Sequence, residues 1–396
     1  MKYVYRYSFL GLFALLTSCE KEDIKTEPVG EFKHVRLLVS DQASAQIQLI
    51  SPVNGQKTPF QATHSGAALF GSGSGRFGFV VHRAQNLVQT FDTGLEEHGD
   101  HVDIKGTPKW GLMTGTSALP THFKTQGDRW LFFNDGDATI EWGRESEIHT
   151  QPTMQRVSTQ LRAHHGAMAP FSNGLLAITE KDGSIAGALP ERVRVIQATG
   201  QTVYPSSIAT RGIHGNATDG EVAVFGSASG ILVVEKNGSQ RLIPHPADFG
   251  TAWFGTILET PLKGQFLGYT AARGVFWINT QNASVVPLFE STDLMQCKLS
   301  KSGQQLALLT HAGELIGIDL VTRAIIGRAT VLSTTTRDET QKPQLESTSK
   351  YAYISQPKRG EIWQVNWRQM TDMTKIATVP TPFRLVILGV ESNEDH

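Results

Sequence analysis

Residues 221–235 read EVAVFGSASGILVVE. Two short apolar runs rich in Val, Ile, Leu and Phe flank a small polar turn. Runs of this length bounded by turn residues read as two adjacent strands. The same unit recurs along the chain. Its first strand appears as VRLLVSD (35–41), FGFVVHR (77–83), RWLFFND (129–135), GLLAITE (174–180), EVAVFGS (221–227), FLGYTAA (266–272), QLALLTH (305–311) and YAYISQP (351–357). Successive starts are 42, 52, 45, 47, 45, 39 and 46 residues apart. A second strand follows each one: AQIQLI, NLVQTF, DATIEWG, RVRVI, GILVVE, GVFWIN, ELIGIDL and EIWQVNW. No segment carries a long 3.6-residue apolar period, so helices should be few.

A repeat near 45 residues with about four short strands is the signature of a β-propeller, and eight copies predict an all-β, eight-bladed ring. No blade buries both faces alone, so neighbours stack and the ring closes. The C-terminal FRLVILGV (383–390) has no partner after it and should complete the first blade. The propeller is expected over residues 34–392. The longest interval, 77 to 129, holds an insertion, GLEEHGDHVDIKG (94–106), placed just before the strand that carries His122.

The N-terminus has a different character. MKYVYRYSFLGLFALLTSC has basic residues, then an apolar run too short to span a bilayer, then small residues. Leu16-Thr17-Ser18-Cys19 resembles a bacterial lipobox, which implies a signal peptide at 1–18, lipidation of Cys19 and a linker at 19–33. Glu20-Lys21-Glu22-Asp23 looks like the signal that exports some lipoproteins to the outer face of the outer membrane. The expected location is the cell envelope, with a lipid anchor in the outer membrane facing the periplasm or the cell surface. Only Cys297 then remains, so no intrachain disulfide is available. Charge is balanced, 36 Lys+Arg against 37 Asp+Glu, which argues against nucleic acid or an anionic membrane face as partner.

The 13 histidines are distributed unevenly over the repeat. His122, the pair His164 and His165, and His214 fall just upstream of the first strong strand in three consecutive blades. In a propeller the strand at that point is innermost and lines the channel. Three imidazoles in phase, next to an insertion carrying His98 and His101, suit Zn²⁺. His164 and His165 are adjacent and would point to opposite faces of a strand, so one of them is expected to be a ligand. Asp100 is the carboxylate expected to assist, with the 94–106 loop as a flap brought toward the channel histidines. Glu96, Glu97 and Asp103 are read as attraction for a cation. His34, His64, His82, His149, His245, His311 and His396 are out of phase or isolated and read as ordinary.

At this point the chain resembles the AztD-type zinc metallochaperones, propellers that deliver zinc to the substrate-binding protein of an ABC importer. The resemblance rests on EEHGDHVDI (96–104), PTHF (120–123) leading into FFNDGDATI, HHGAMAP (164–170), GIHGNA (212–217) leading into VAVFGSASGILV, YISQPKRGEIWQV (353–365) and TPFRLVILGV (381–390). It implies that His98, Asp100 and His101 belong to a metal loop, and His122, one of His164/His165, and His214 to a channel-side set. Three features depart from it. Ser206, Ser207 and Ser227 stand where family members often carry a cysteine pair, residues 20–33 lack the His-rich tract, and the typical member has no lipid anchor.

The expectation is therefore a monomeric zinc metallochaperone that captures Zn²⁺ at the channel mouth. Its recipient would be a zinc ABC-transporter substrate-binding protein or an outer-membrane zinc transporter. Two alternatives stay open: a metal-free interaction module and a zinc-dependent propeller hydrolase. The chain has no G-x-S-x-G elbow, nucleophile–base pair or cofactor motif, which favours a non-enzyme.

Overall fold

The computed structural model describes Met1 and residues 30–394. Residues 2–29 and 395–396, which include the expected signal peptide after Met1, Cys19, the linker up to residue 29 and His396, lie outside the described residues. Contacts divide the chain into two units, Met1–Gly30 and Glu31–His396, and the second is the propeller. Among the described residues there are eight four-stranded antiparallel sheets and one two-stranded hairpin, with two 3₁₀ turns at Arg83–Gln85 and Glu145–Glu147. No helix among them is long and apolar enough to cross a membrane.

The segment 221–235 shows why the sequence folds this way. Val222–Ser227 and Gly230–Glu235 pair antiparallel across a two-residue turn, with Ser227 opposite Gly230. Side chains alternate between the two faces of a strand, and here each face meets a different neighbouring blade. Ala223, Phe225, Leu232 and Val234 pack with Ala169, Phe171 and Val195 of the preceding blade. Val224, Ile231 and Val233 pack with Phe254, Phe276 and Ile278 of the following one. Both faces are therefore buried, which explains why the run is nearly all apolar instead of alternating. The outermost strand of the blade, Gln240–Ile243, is more exposed and more polar.

The chain ends close the ring. Pro382–Gly389 pairs with Val35–Asp41 over its length and forms the innermost strand of blade 1. Leu385 and Ile387 join Val35, Leu37 and Val39 against Tyr353 and Ile362 of blade 8. Leu388 faces the other way, toward Leu69, Val80 and Phe91 of blade 2. Blade 1 is thus held by both termini of the propeller, and both of its interblade cores depend on that closure. Cys297 is a free, buried thiol, pushed up to about 12 by that burial.

Blade 2 carries the insertion, but not where the sequence suggested. Its strands are Ala68–Gly71, Phe77–His82, Leu87–Asp92 and Lys109–Gly115, and the hairpin Leu95–His98/His101–Ile104 interrupts the connection between the third and fourth. A complete strand therefore separates the hairpin from the strand bearing His122, Pro120–Gln126. In an antiparallel four-stranded blade the first and third connections lie at one end and the second at the other. The hairpin is a third connection and sits with the first turns. His122 lies at the start of an innermost strand and sits with the second turns. The two histidine sets are at opposite ends of the ring.

Candidate metal centre

Three consecutive blades build the channel-end cluster. His122 lies on the innermost strand of blade 3, Pro120–Gln126, and His214 on that of blade 5, Ile213–Thr218. His165 precedes the innermost strand of blade 4, Met168–Pro170. The ladder shifts register between Pro120 and His122 and again between Ile213 and Asn216. Such irregularities bend a strand and re-aim a side chain, and here they fall at the two strand-borne imidazoles. The ring centroids of His165 lie 4.8 Å from His122 and 5.2 Å from His214, and those of His122 and His214 are 6.0 Å apart.

The outward nitrogens are already committed. His165 Nδ1 is 2.7 Å from Asp135 Oδ2, and His214 Nδ1 is 2.7 Å from the carbonyl oxygen of Gly255. Both partners are acceptors, so each Nδ1 carries the proton and each Nε2 presents its lone pair. This is the arrangement by which a carboxylate or carbonyl fixes the tautomer of a metal-ligating histidine. Asp135 is itself fixed. Arg83 Nη2 donates to it at 2.9 Å and the Gly166 amide at 3.3 Å. Burial pushes the Asp135 carboxyl up, but the bonds from His165, Arg83 and Thr121 outweigh burial and hold it below the usual carboxylate range.

The Nε2 atoms of His122 and His165 face one another at 3.4 Å. Zinc–nitrogen bonds of about 2.05 Å at tetrahedral angles place two ligand nitrogens ~3.3 Å apart. The pair is therefore spaced for one ion, and His122, Asp135 and His165 offer atoms that all lie within 4.8 Å of one another. Burial lowers His122 to about 4, with the His165 and His214 rings adding to that and Asp135 opposing it. The imidazole is thus neutral, the form that binds a metal.

Of the adjacent pair His164 and His165, one of which was expected to be a ligand, His164 faces away from the cluster. Its Nδ1 lies 2.7 Å from the Arg162 carbonyl oxygen, and its Nε2 lies 3.1 Å from both the carbonyl and the hydroxyl oxygen of Thr179. Both nitrogens face protein partners and the ring is buried, so it ties the loop to the blade. The adjacent His165 takes the open side.

The second cluster lies on the hairpin. Gly99, at φ +71°, is the first central residue of a two-residue turn, the glycine-first pattern of a type II′ hairpin. That turn sets His98 directly opposite His101, with ring centroids 5.2 Å apart. Asp103, two residues beyond His101, shares their face. Its carboxylate lies 3.5 Å from His101 Nε2 and 3.9 Å from His98 Nδ1. Asp100 sits in the turn, its side chain 98% exposed, and reaches His101 Nδ1 at 2.9 Å. Asp103 therefore completes the group with His98 and His101, and Asp100 orients His101 from outside. Strand alternation places Asp103, two positions from His101, on the face shared by both rings, whereas Asp100, the carboxylate expected to assist, lies in the turn.

The hairpin is anchored at its own end of the ring. Leu95 and Val102 pack on Val390, the Val102 amide donates to the Glu394 carbonyl at 3.1 Å, and Arg76 Nη1 meets Glu96 Oε2 at 3.3 Å. Asp92 pins its base, accepting from Arg76 Nε at 2.9 Å and the Gly94 amide at 2.8 Å. It is not a flap over His122, His165 and His214. Closeness in sequence to His122 does not become closeness in space, because the strand Lys109–Gly115 intervenes and carries the chain to the other end of the ring. Asp135, Arg83 and Gly255 were missed as parts of the channel-end cluster. The one available signal was FFNDGDATI, where Asp135 opens the turn after a strand paired to the His122 strand.

The fold and these clusters define a histidine-bearing, eight-bladed β-propeller. No protein-family model matches the chain. It is similar to the zinc chaperone AztD of Citrobacter koseri, 23% identical over 367 residues, covering 89% of this chain and 86% of that protein. The structure of apo AztD from Citrobacter koseri superposes with a TM-score of 0.80 at 20% identity, covering 90% of this chain and 98% of the other. A dihydro-heme d1 dehydrogenase, NirN, is more distant, with a TM-score of 0.61 at 12% identity over 89% of this chain and 74% of its own. In sequence and in fold the chain is AztD-like.

Proposed function

We propose that this protein is a zinc carrier that captures Zn²⁺ at the channel-end cluster of His122, His165 and His214 and passes it to a zinc-uptake partner. The observation that carries the reading is the 3.4 Å separation of the His122 and His165 Nε2 atoms. The opposite nitrogens of His165 and His214 are tied to Asp135 and Gly255. The similarity to a zinc chaperone supports the same cargo. His122 and His165 would supply the first two nitrogens and His214 the third, with Asp135 holding His165 from behind. A carrier needs only binding and release, so no bond is made or broken in the cargo. Release would proceed by ligand exchange with a partner reaching the channel mouth.

The hairpin group His98, His101 and Asp103 would hold a separate ion at the opposite end. Lipidation of Cys19 after removal of residues 1–18 would tether the propeller to the outer membrane within the cell envelope. If it faces the periplasm, the recipient would be the substrate-binding protein of a zinc ABC transporter. On the cell surface it would be an outer-membrane zinc transporter.

Isothermal titration of the metal-free protein with Zn²⁺ tests the reading. Binding tighter than about 1 µM that is lost in His122→Ala/His165→Ala is expected. The absence of any such affinity in the unaltered protein, or its survival in that double variant, would sink the proposal.

A further inference from the structure

His64 and His82 looked ordinary in the sequence, being out of phase with the channel set. The structure brings them together. Their ring centroids lie 5.2 Å apart, at an interplanar angle of 78°. Two imidazoles bound to one tetrahedral zinc have centroids about 5 Å apart, and His165–His214 and His98–His101 show the same 5.2 Å spacing here.

The polarity of His82 is what distinguishes this pair from a chance contact. Its Nε2 lies 3.1 Å from Gln89 Oε1, and that oxygen also accepts the Thr63 amide at 2.9 Å. An amide oxygen only accepts, so Nε2 carries the proton and Nδ1 keeps its lone pair. His82 is 2% exposed, and among the described residues its Nδ1 has no hydrogen-bond partner. A buried polar atom normally finds one. One nitrogen fixed by an amide oxygen and the other bare is how a metal-ligating histidine is prepared. Gln89 plays for His82 the part that Asp135 plays for His165. Burial also lowers the pKa of His82, which keeps the ring neutral.

The pair lies at the same end of the ring as the channel-end cluster. His82 ends the second strand of blade 2, and His64 sits in the loop entering that blade. Arg83, next in sequence to His82, holds Asp135 at 2.9 Å, and Asp135 holds His165 at 2.7 Å.

We infer that His64 and His82 form a further Zn²⁺ site, a two-histidine station beside the channel-end cluster, from the juxtaposition of their rings and the bare, buried Nδ1 of His82. Zinc in proteins is typically four-coordinate, so two protein nitrogens leave positions for water or for a side chain of the incoming or departing partner. Such a site binds weakly and exchanges fast, which suits a place where cargo pauses on its way to or from the tighter cluster. The inference rests on the zinc-carrier reading for its role but not for its binding.

The test uses the full chain with both other clusters removed, His98→Ala/His101→Ala/His122→Ala/His165→Ala, titrated with Zn²⁺ alone and checked for folding by circular dichroism. A residual site is expected, weakened roughly tenfold or more by adding His64→Ala. No residual site, or one indifferent to His64→Ala, overturns the inference. Should the four-alanine variant fail to fold, the comparison moves to His64→Gln in the otherwise unaltered protein. The unaltered chain should then take up an additional equivalent of Zn²⁺, and equal uptake overturns the inference. Failure of the carrier reading shows separately, as absence of tight binding in the unaltered protein.

Discussion

The two ends of the ring hold histidines in contrasting ways. On the hairpin, His98 and His101 are brought together by a two-residue turn, and the His98 side chain is 73% exposed. In the channel-end cluster, His122, His165 and His214 come from three blades, and two of the rings are oriented by Asp135 and Gly255, 30 and 41 residues away. A local pair costs little to assemble, but its rings are held by carboxylates of the same exposed hairpin, Asp100 and Asp103, and not by packed blades. A tertiary cluster has its rotamers fixed when the blades pack, so less entropy is lost when an ion arrives. The tertiary cluster should therefore bind the tighter ion, and the hairpin should act independently of it.

The largest expected effect is at the tertiary cluster. His165→Ala removes the ring that touches both other imidazoles and should weaken Zn²⁺ binding by roughly a hundredfold or more in a competition titration. A change as small as that of a hairpin variant would erase the distinction. Asp135→Asn tests orientation without removing a ligand, since the amide can present its N–H side to His165 Nδ1 and disturb the tautomer. A loss of about 10- to 100-fold is expected, with circular dichroism unchanged.

His122 adds a pH dependence to the same end. Burial lowers it to about 4 in the folded protein, against about 6.5 in an unfolded chain. Between those values the unfolded chain binds the extra proton, so stability is complete above about pH 6.5 and declines as pH falls toward 4. The shift corresponds to ~3 kcal/mol at most. Urea midpoints measured at pH 7 and pH 4.5 should differ less in His122→Gln than in the unaltered metal-free protein. Equal differences would remove the buried, neutral imidazole from the account.

The hairpin predictions are smaller. His98→Ala/His101→Ala should leave the affinity of the channel-end cluster within about twofold, because well-separated sites act additively. A large loss would mean the two ends are coupled. Within the hairpin, Asp103→Ala should weaken metal binding more than Asp100→Ala, because Asp103 faces both rings and Asp100 is a turn residue with an exposed side chain.

The sequence by itself determined the repeat, the blade count and the closing role of FRLVILGV, because each rests on local apolar runs and their spacing. It also determined that His122, the pair His164/His165 and His214 recur in phase, since the repeat assigns equivalent positions to equivalent places in each blade. Only the tertiary structure decided which of His164 and His165 faces the cluster, because both fit the same phase and their neighbours Arg162, Thr179 and Asp135 settle it. It alone decided that Asp103, not Asp100, joins the hairpin histidines, since the turn and register had to be known first. It alone placed the hairpin at the far end of the ring, because the end a connection occupies depends on how many strands precede it within the blade. The His64–His82 pair was invisible for the same reason. Its two rings belong to a loop and a strand end, and only packing brings them into contact.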